Sequence, residues 1–529
     1  MRQPRSHLRR TALALAALAA LAACSEPRDL AGWAARAASR NRLDEKLAAL
    51  ASARAAAGDP ATIGDRAAAV APLVEVLGQA PKARQQAAVI LGELGRPEAA
   101  GPLLAALDRS GTADRDVNLA NAAIAAALGA LRAQEAVPVL APLAVRASDP
   151  FVQVAAIDAL GAIGAPAAVD SLLTVVEDGQ AAPFAVKKAL LALGRIGDPR
   201  AVPAVVRSLF TEGPGVSYFP EAAFAVSQLG EAAAGPLTAL VEGRDAPLAA
   251  WAAERRVHPA ALRAKAAQLL GDVGGQAAVP ALVAALGYQD ETPEARLFVR
   301  VFAAESLGRL RARPAVGPLA AALAAEKDPD ARHRYADALA RIGDPAGLPA
   351  LRAAAGAPGP VAAREAMLEA LSRVGGEVDR PLLEAARAAC AVGCQPGLLA
   401  ALDGMAARLD AARACGDSLA CWSGRLADQR AEVRDRAALV VGRDGGAAEV
   451  AALRMALVRP VGTDAELAAR YHAVLALDEV TRRHPPGSAG LEAAAAIEAA
   501  VAADKGRLLT AGVNEDALRL AGRLRRAAR

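Results

Sequence analysis

Aromatic side chains are scarce: 7 Phe, 4 Tyr and 3 Trp make up 3% of 529 residues. That excludes a nucleic-acid stacking platform, which needs ring faces repeated along its surface. Histidine is as rare, and His7, His258, His333, His472 and His484 precede Leu, Pro, Arg, Ala and Pro. None begins a His-Glu dyad, and there is no HExxH, GxSxG or Gly-rich Walker pattern, so zincin, hydrolase and nucleotide chemistry have no anchor. Beyond residue 24 no stretch is uniformly apolar without charges or proline. What the chain does hold is small and apolar, 54% hydrophobic residues dominated by alanine, against 22% charged. This content excludes a disordered chain, and cores of Ala and Leu suit closely packed helices.

Residues 1–24 read MRQPRSHLRRTALALAALAALAAC, four Arg followed by the 13-residue apolar run from Thr11 to Ala23. The pattern reads as a secretory signal, too short for a membrane span of about 20 residues. Its end, Leu21-Ala22-Ala23-Cys24, resembles the bacterial lipobox. The resemblance implies that Cys24 is lipidated and becomes the mature N-terminus, and Ser25 after it implies sorting to the outer membrane, facing the periplasm. Loss of residues 1–23 removes four Arg and no acid, which lowers the net charge from +4 to zero. A neutral chain lacks the electrostatic footprint of phosphate-backbone binding, so nucleic acid is not an expected partner. Arg519, Arg523, Arg525, Arg526 and Arg529 are expected to complement the end of a last helix.

The string LGELG at Leu91 recurs as LGALR at Leu128, LGAIG at Leu160, LGRIG at Leu193 and LGEAA at Leu229. It continues as LGDVG at Leu270, LGRLR at Leu307, LARIG at Leu339 and LSRVG at Leu371, at intervals of 32 to 41 residues. Weaker matches at Leu50, Leu402, Val441 and Leu477 bring the series to about thirteen units. In the unit from Ala185 to Phe210, apolar positions at helical spacing precede the anchor, the Gly after it suits a helix end, and a Pro opens a second helix. Pro lies ten residues after the anchor at Pro138, Pro203, Pro280, Pro349 and Pro381, where its missing N–H costs nothing in a first turn. Asp149-Pro150, Thr292-Pro293 and Asp328-Pro329 read as helix caps. Two short helices cannot bury their apolar faces alone, so the units are predicted to stack into an all-α superhelical solenoid of about 12–13 helix pairs.

GDPRAVPAVVRSL and its relatives resemble HEAT repeats, of the type named from the phycobilin-attaching lyases. The resemblance covers most of residues 45–480 and implies the fold. It implies no lyase activity, because the shared residues are the structural Gly, Pro, Leu and Asp. The expected organisation is a signal over 1–23, an N-terminal tether over 24–42, HEAT-like repeats over 43–384, Cys-containing divergent repeats over 385–430, and C-terminal repeats with a cap over 431–529.

With Cys24 assigned to lipid, Cys390, Cys394, Cys415 and Cys421 fall within 32 residues. In an exported chain they are expected to form two disulfides, Cys390 with Cys394 and Cys415 with Cys421, with zinc binding as the alternative. Asp198, Asp272 and Asp344 read as turn residues repeated at one phase, and Arg332-His333-Arg334 as a solvated face. Phe210, Tyr218, Phe219 and Phe224 cluster around a loop containing two Gly and one Pro, while Trp251, Arg255 and Arg256 fall in the longest repeat interval. Of these, Tyr218, Phe219, Trp251, Arg255 and Arg256 are the expected partner-binding anchors. No catalytic residue, cofactor or metal is expected. The expected function is a lipid-anchored scaffold in the cell envelope for an unidentified protein partner, with an enzyme or small-molecule carrier using the solenoid groove as the alternative.

Overall fold

The computed structural model describes residues 26–390, 394–485, 487–504 and 511–527. Cys24 and the signal lie outside them. The described residues are helical apart from turns and one hairpin of two-residue strands, Glu212–Gly213 with Val216–Ser217. The fold is an all-α solenoid of helix pairs, divided into two compact units at Ile196 and Gly197.

One repeat shows how the sequence makes a pair. Asp149 caps the helix Pro150–Ile163 by accepting from the N–H groups of Phe151 and Val152 at 2.8 and 3.2 Å. Gly164 ends it in the left-handed region, φ 77°, which a side chain would strain. The 3₁₀ turn Pro166–Ala168 then feeds the shorter helix Val169–Glu177. The five phased prolines each stand in the first two positions of a second helix. All thirteen anchors from Leu50 to Leu477 are buried, none more than 6% exposed.

The Gly directly after the anchor does not end the helix, contrary to expectation. Gly161 lies within Pro150–Ile163, and a Cβ there would come within 2.8 Å of the Ala192 Cβ on the next long helix. Its role is to let neighbouring long helices touch backbone to backbone, and the Gly four residues after the anchor takes the helix end.

In the first unit the long helices Leu43–Gly58, Pro81–Leu94, Arg115–Ala130, Pro150–Ile163 and Pro183–Ile196 each pack on the next. Residues expected to form a tether are helical instead. Leu30–Ser39, capped by Asp29, fully buries Leu30, Ala34 and Ala37 against Leu43–Gly58 and Arg66–Leu77.

The second unit closes on itself. Its late helices Asp464–Arg483 and Ala511–Ala527 return to its early ones, where Gln228 Nε2 donates to the Arg519 carbonyl at 3.1 Å and Arg482 Nη1 to the Val273 carbonyl at 2.9 Å. The longest repeat interval, Leu229 to Leu270, accommodates an additional helix, Ala246–Glu254.

Candidate functional site

Polar side chains gather inside the second unit at one phase of the repeat, two residues after the anchor. Asp272, Arg309, Arg341, Arg373 and Glu479 all stand there. Arg309 pairs closely with Asp272 and lies 3.5 Å from Asp516, and Arg311 donates to Glu479 at 2.7 Å. Arg341 pairs with Asp337 at 2.8 Å and stacks over Tyr471, 5.0 Å from the ring centroid. Arg373 joins Asp337 at 2.9 Å to Asp435 at 3.1 Å, and Arg408 reaches Asp435 at 2.8 Å.

Asp435 is fully buried and also contacts His472 Nδ1. Burial would raise its pKa, but Arg373, His472 and Arg408 outweigh that and hold the carboxyl well below the usual range. The same balance, with Arg341 and Arg373 against burial, puts Asp337 at about 2. Burial lowers the His472 pKa despite Asp435 beside it, so the imidazole is neutral and Nδ1–H donates to the carboxylate.

Around Ser227, Asp272, Arg309, Asp478, Asp516 and Arg523 the helices line a partly open pocket of about 60 Å³, and a cleft of about 320 Å³ beside it shares Arg309, Asp478 and Arg482. The pocket's carboxylates are paired: Asp478 accepts from Arg482 and Arg523, both at 2.7 Å, and Asp516 pairs with Arg519. Among the described residues there is no group of three or more metal-binding side chains, and no helix is long and apolar enough to cross a membrane.

Two sequence expectations change here. Asp198 and Asp344 do cap turns, accepting from the N–H groups of Arg200 and Ala346 at 2.9 Å. Asp272 does not; it lies on Pro259–Val273, faces the interior and pairs with Arg309. Arg519, Arg523 and Arg525 meet carboxylates rather than a helix end, Arg525 reaching Glu498 at 2.8 Å. Arg529 and the Arg526 side chain lie outside the description.

The expected partner anchors differ in exposure. Tyr218 is buried, its hydroxyl filling the space that a side chain at Gly213 would need, so it pins the hairpin and is not an exposed anchor. Phe219 is half-buried under Lys265, whose Nζ lies 4.6 Å from the ring centroid and donates to the Leu209 carbonyl at 3.1 Å. Trp251 is half-buried on Ala246–Glu254 with the Arg255 guanidinium 4.6 Å over its ring, while Arg255 and Arg256 are exposed. Both disulfides have the local pairing, Cys390–Cys394 and Cys415–Cys421. Beside the second, buried Trp422 donates from Nε1 to the Gly416 carbonyl at 2.9 Å. Of the expected solvated face, His333 and Arg334 are in solvent, whereas Arg332 is half-buried and donates to the Leu323 and Glu326 carbonyls at 3.1 and 3.0 Å.

The aromatic residues that do face solvent are Phe151, Phe184 and Phe298, 70%, 60% and 57% exposed. Each stands nine residues before its anchor, Leu160, Leu193 or Leu307. Sequence reading missed them because it sought aromatics clustered along the chain, whereas the repeat phase was the signal that would have found them.

The model of HEAT repeats matches residues 112–186 and 316–392, and that of the PBS lyase HEAT-like repeat matches 187–211 and 262–288. The chain carries HEAT repeats. The HEAT matches include both a unit from the open stack before Ile196 and units from the self-closed one after it. Among solved structures the chain is similar to human deoxyhypusine hydroxylase, with 25% identity over 52% of this chain and 95% of that one, at a TM-score of 0.21. It is also similar to Kap121p, at 13% identity over 86% of this chain and a TM-score of 0.47, and spans 53% of its length. The CpcE–CpcF complex of phycocyanin lyase from Nostoc matches with 24% identity over 51% of this chain and 94% of that one, at a TM-score of 0.23. No curated protein sequence matches. A HEAT solenoid of this kind fits a protein-interaction scaffold.

Proposed function

We propose that this HEAT protein is exported, held on the cell envelope by lipid at Cys24, and works as a scaffold for a protein partner rather than as an enzyme. The observation that carries the scaffold reading is the shared phase of Phe151, Phe184 and Phe298, all more than half exposed. Exposed apolar residues scattered singly need no explanation, but three of seven Phe turned outward at one repeat position make a pattern. Aromatic side chains repeated along a solenoid supply the few anchors that dominate binding energy.

Export rests on the basic start, the apolar run and Leu21-Ala22-Ala23-Cys24. The two disulfides support it, since such bonds persist in oxidising compartments. The pocket around Asp272 and Asp478 lends no support to an enzyme or carrier, because its carboxylates are each neutralised by an arginine. Metabolic labelling with a fatty acid tests the anchor: label should enter the wild-type protein and be lost in Cys24→Ala, and equal labelling of the two would overturn it.

A further inference from the structure

We infer that the open face of the first unit is a docking site for an amphipathic α-helix of another protein. The inference rests on the scaffold reading and adds the surface and the kind of partner.

Positions nine, five and two residues before the anchor and two residues after it follow steps of four, three and four, so they share one face of each long helix. In the second unit the C-terminal half of this face is covered by the protein's own helices. Ser227 and Asp272 meet the helix Ala511–Ala527 around the pocket, and Arg309 and Arg341 meet Tyr471 of Asp464–Arg483. The chain itself therefore shows what fits against this phase of its repeat.

In the first unit the same face is uncovered and different in character. Two residues after the anchor, where the second unit has Asp272, Arg309 and Arg341, the two middle helices carry Ala130 and Ala162, flanked by Glu93, paired with Arg54 at 2.7 Å, and Arg195, 3.8 Å from Asp158. With Ala126 and Ala155, these two alanines make a floor of small side chains that are half-exposed or exposed, and Phe151 and Phe184 rise at its edge one repeat apart. Two charges on the same face, Lys188 five before its anchor and Asp158 two before its own, are already matched, Lys188 donating to Asp158 at 2.8 Å. Ala511–Ala527 presents Asp516 and Arg519 to its charged counterpart. An occupant of the alanine floor needs apolar side chains at those places, and a helix can lay such a stripe into a shallow groove whose small residues permit close approach.

The test uses the full chain in its native envelope, with the photo-crosslinking residue p-benzoylphenylalanine placed at Ala126 and at Ala155, and at Trp251 for comparison. Mass spectrometry maps each adduct to a segment. The adducts from Ala126 and Ala155 should fall in a segment of another protein with apolar residues at helical spacing. A fluorescent peptide of that segment should gain helicity on binding, and should bind Phe151→Ser/Phe184→Ser about tenfold or more weakly than wild type. Adducts to phospholipid, to a second copy of the chain or to an extended segment would overturn the inference, as would equal affinity for the double variant. Adducts to a protein from Trp251 alone would leave the scaffold reading standing and refute this face, whereas no protein adduct from any of the three would refute both.

Discussion

Arg482 donates through Nη2 to the main-chain carbonyl of Asp272 at 2.8 Å, across 210 residues of sequence. Its Nη1 reaches the next carbonyl, that of Val273. The last carbonyls of a helix have no partner within it, so one guanidinium from Asp464–Arg483 completes the end of Pro259–Val273 and ties the late part of the second unit to its early part. The connection is specific because both nitrogens are used and Nε is held by Asp478 at 2.7 Å.

Arg482→Ala should therefore loosen the closure without unfolding the stack. Loss of hydrogen bonds from a charged donor should cost about 1–3 kcal/mol. Urea unfolding measures the cost, and hydrogen exchange shows where it falls. Protection should drop in Ala511–Ala527 and at the end of Pro259–Val273, while the helices before Ile196 stay as in wild type.

Asp435→Asn should be more damaging. The carboxylate is fully buried and neutralises Arg373 and Arg408, each under one-tenth exposed. Removal of one partner of such a cluster leaves buried charge uncompensated, at a cost of about 3–5 kcal/mol. Thermal or urea unfolding of the variant should show that loss; a change below 1 kcal/mol, roughly the value of a surface pair, would mean the cluster is hydrated.

Acid should weaken the second unit in two steps. The His472 pKa is lowered by burial, so the unfolded chain takes up that proton first, and stability present above about pH 6.5 is lost as pH falls toward the folded pKa. Asp337, at about 2 in the folded protein, and Asp435, well below its usual range, add stability that is lost below about pH 4. Urea midpoints from pH 8 to pH 3 should show both steps, and His472→Asn should remove the upper one.

The repeat was legible because each structural demand left a residue at a fixed distance from the anchor: proline ten residues on, a capping Asp before the long helix, leucine in the core. The disulfide pairing was legible because the cysteines lie close along the chain. Asp272 was misplaced because LGDVG and IGDP look alike, although Asp272 is two residues beyond its anchor and Asp198 and Asp344 are five beyond theirs. Those three residues of offset turn a side chain from the inter-helix turn to the interior. The closure of the second unit was not legible at all, since it joins charges such as Asp272 and Arg519, 247 positions apart, whose spacing carries no period.

Gly161→Val tests the packing between long helices. A Cβ at Gly161 would lie 2.8 and 2.9 Å from Ala192 Cβ and Cα, and the second of these is backbone that cannot swing aside. Overpacking of this kind costs about 1–3 kcal/mol. Gly101→Ala, within the short helix Ala100–Ala106 and with nothing within 4 Å of its Cβ, should be neutral or stabilising by up to about 1 kcal/mol. Unfolding midpoints of the two variants should move in opposite directions or differ by at least the packing cost.

Tyr218 and Phe151 exchange the roles that their sequence neighbourhoods suggest. Tyr218 stands in the densest aromatic segment of the chain, yet it is 6% exposed and fills the space above Gly213, whereas Phe151 has no aromatic neighbour in sequence and is 70% exposed. Tyr218→Ala should remove a buried ring, leave a cavity and cost about 3–5 kcal/mol. Phe151→Ser and Phe184→Ser leave the core untouched, and the melting temperature should stay within the change expected of surface substitutions, about 0.5 kcal/mol. Trp251→Ala should fall between them, because half of the ring is covered and Arg255 stacks on the rest. Thermal unfolding followed by circular dichroism ranks the three, and partner binding should run the other way, weakened by the Phe substitutions while Tyr218→Ala leaves the exposed Phe anchors in place. A Phe151→Ser variant that melts as early as Tyr218→Ala would show that its ring supports the fold.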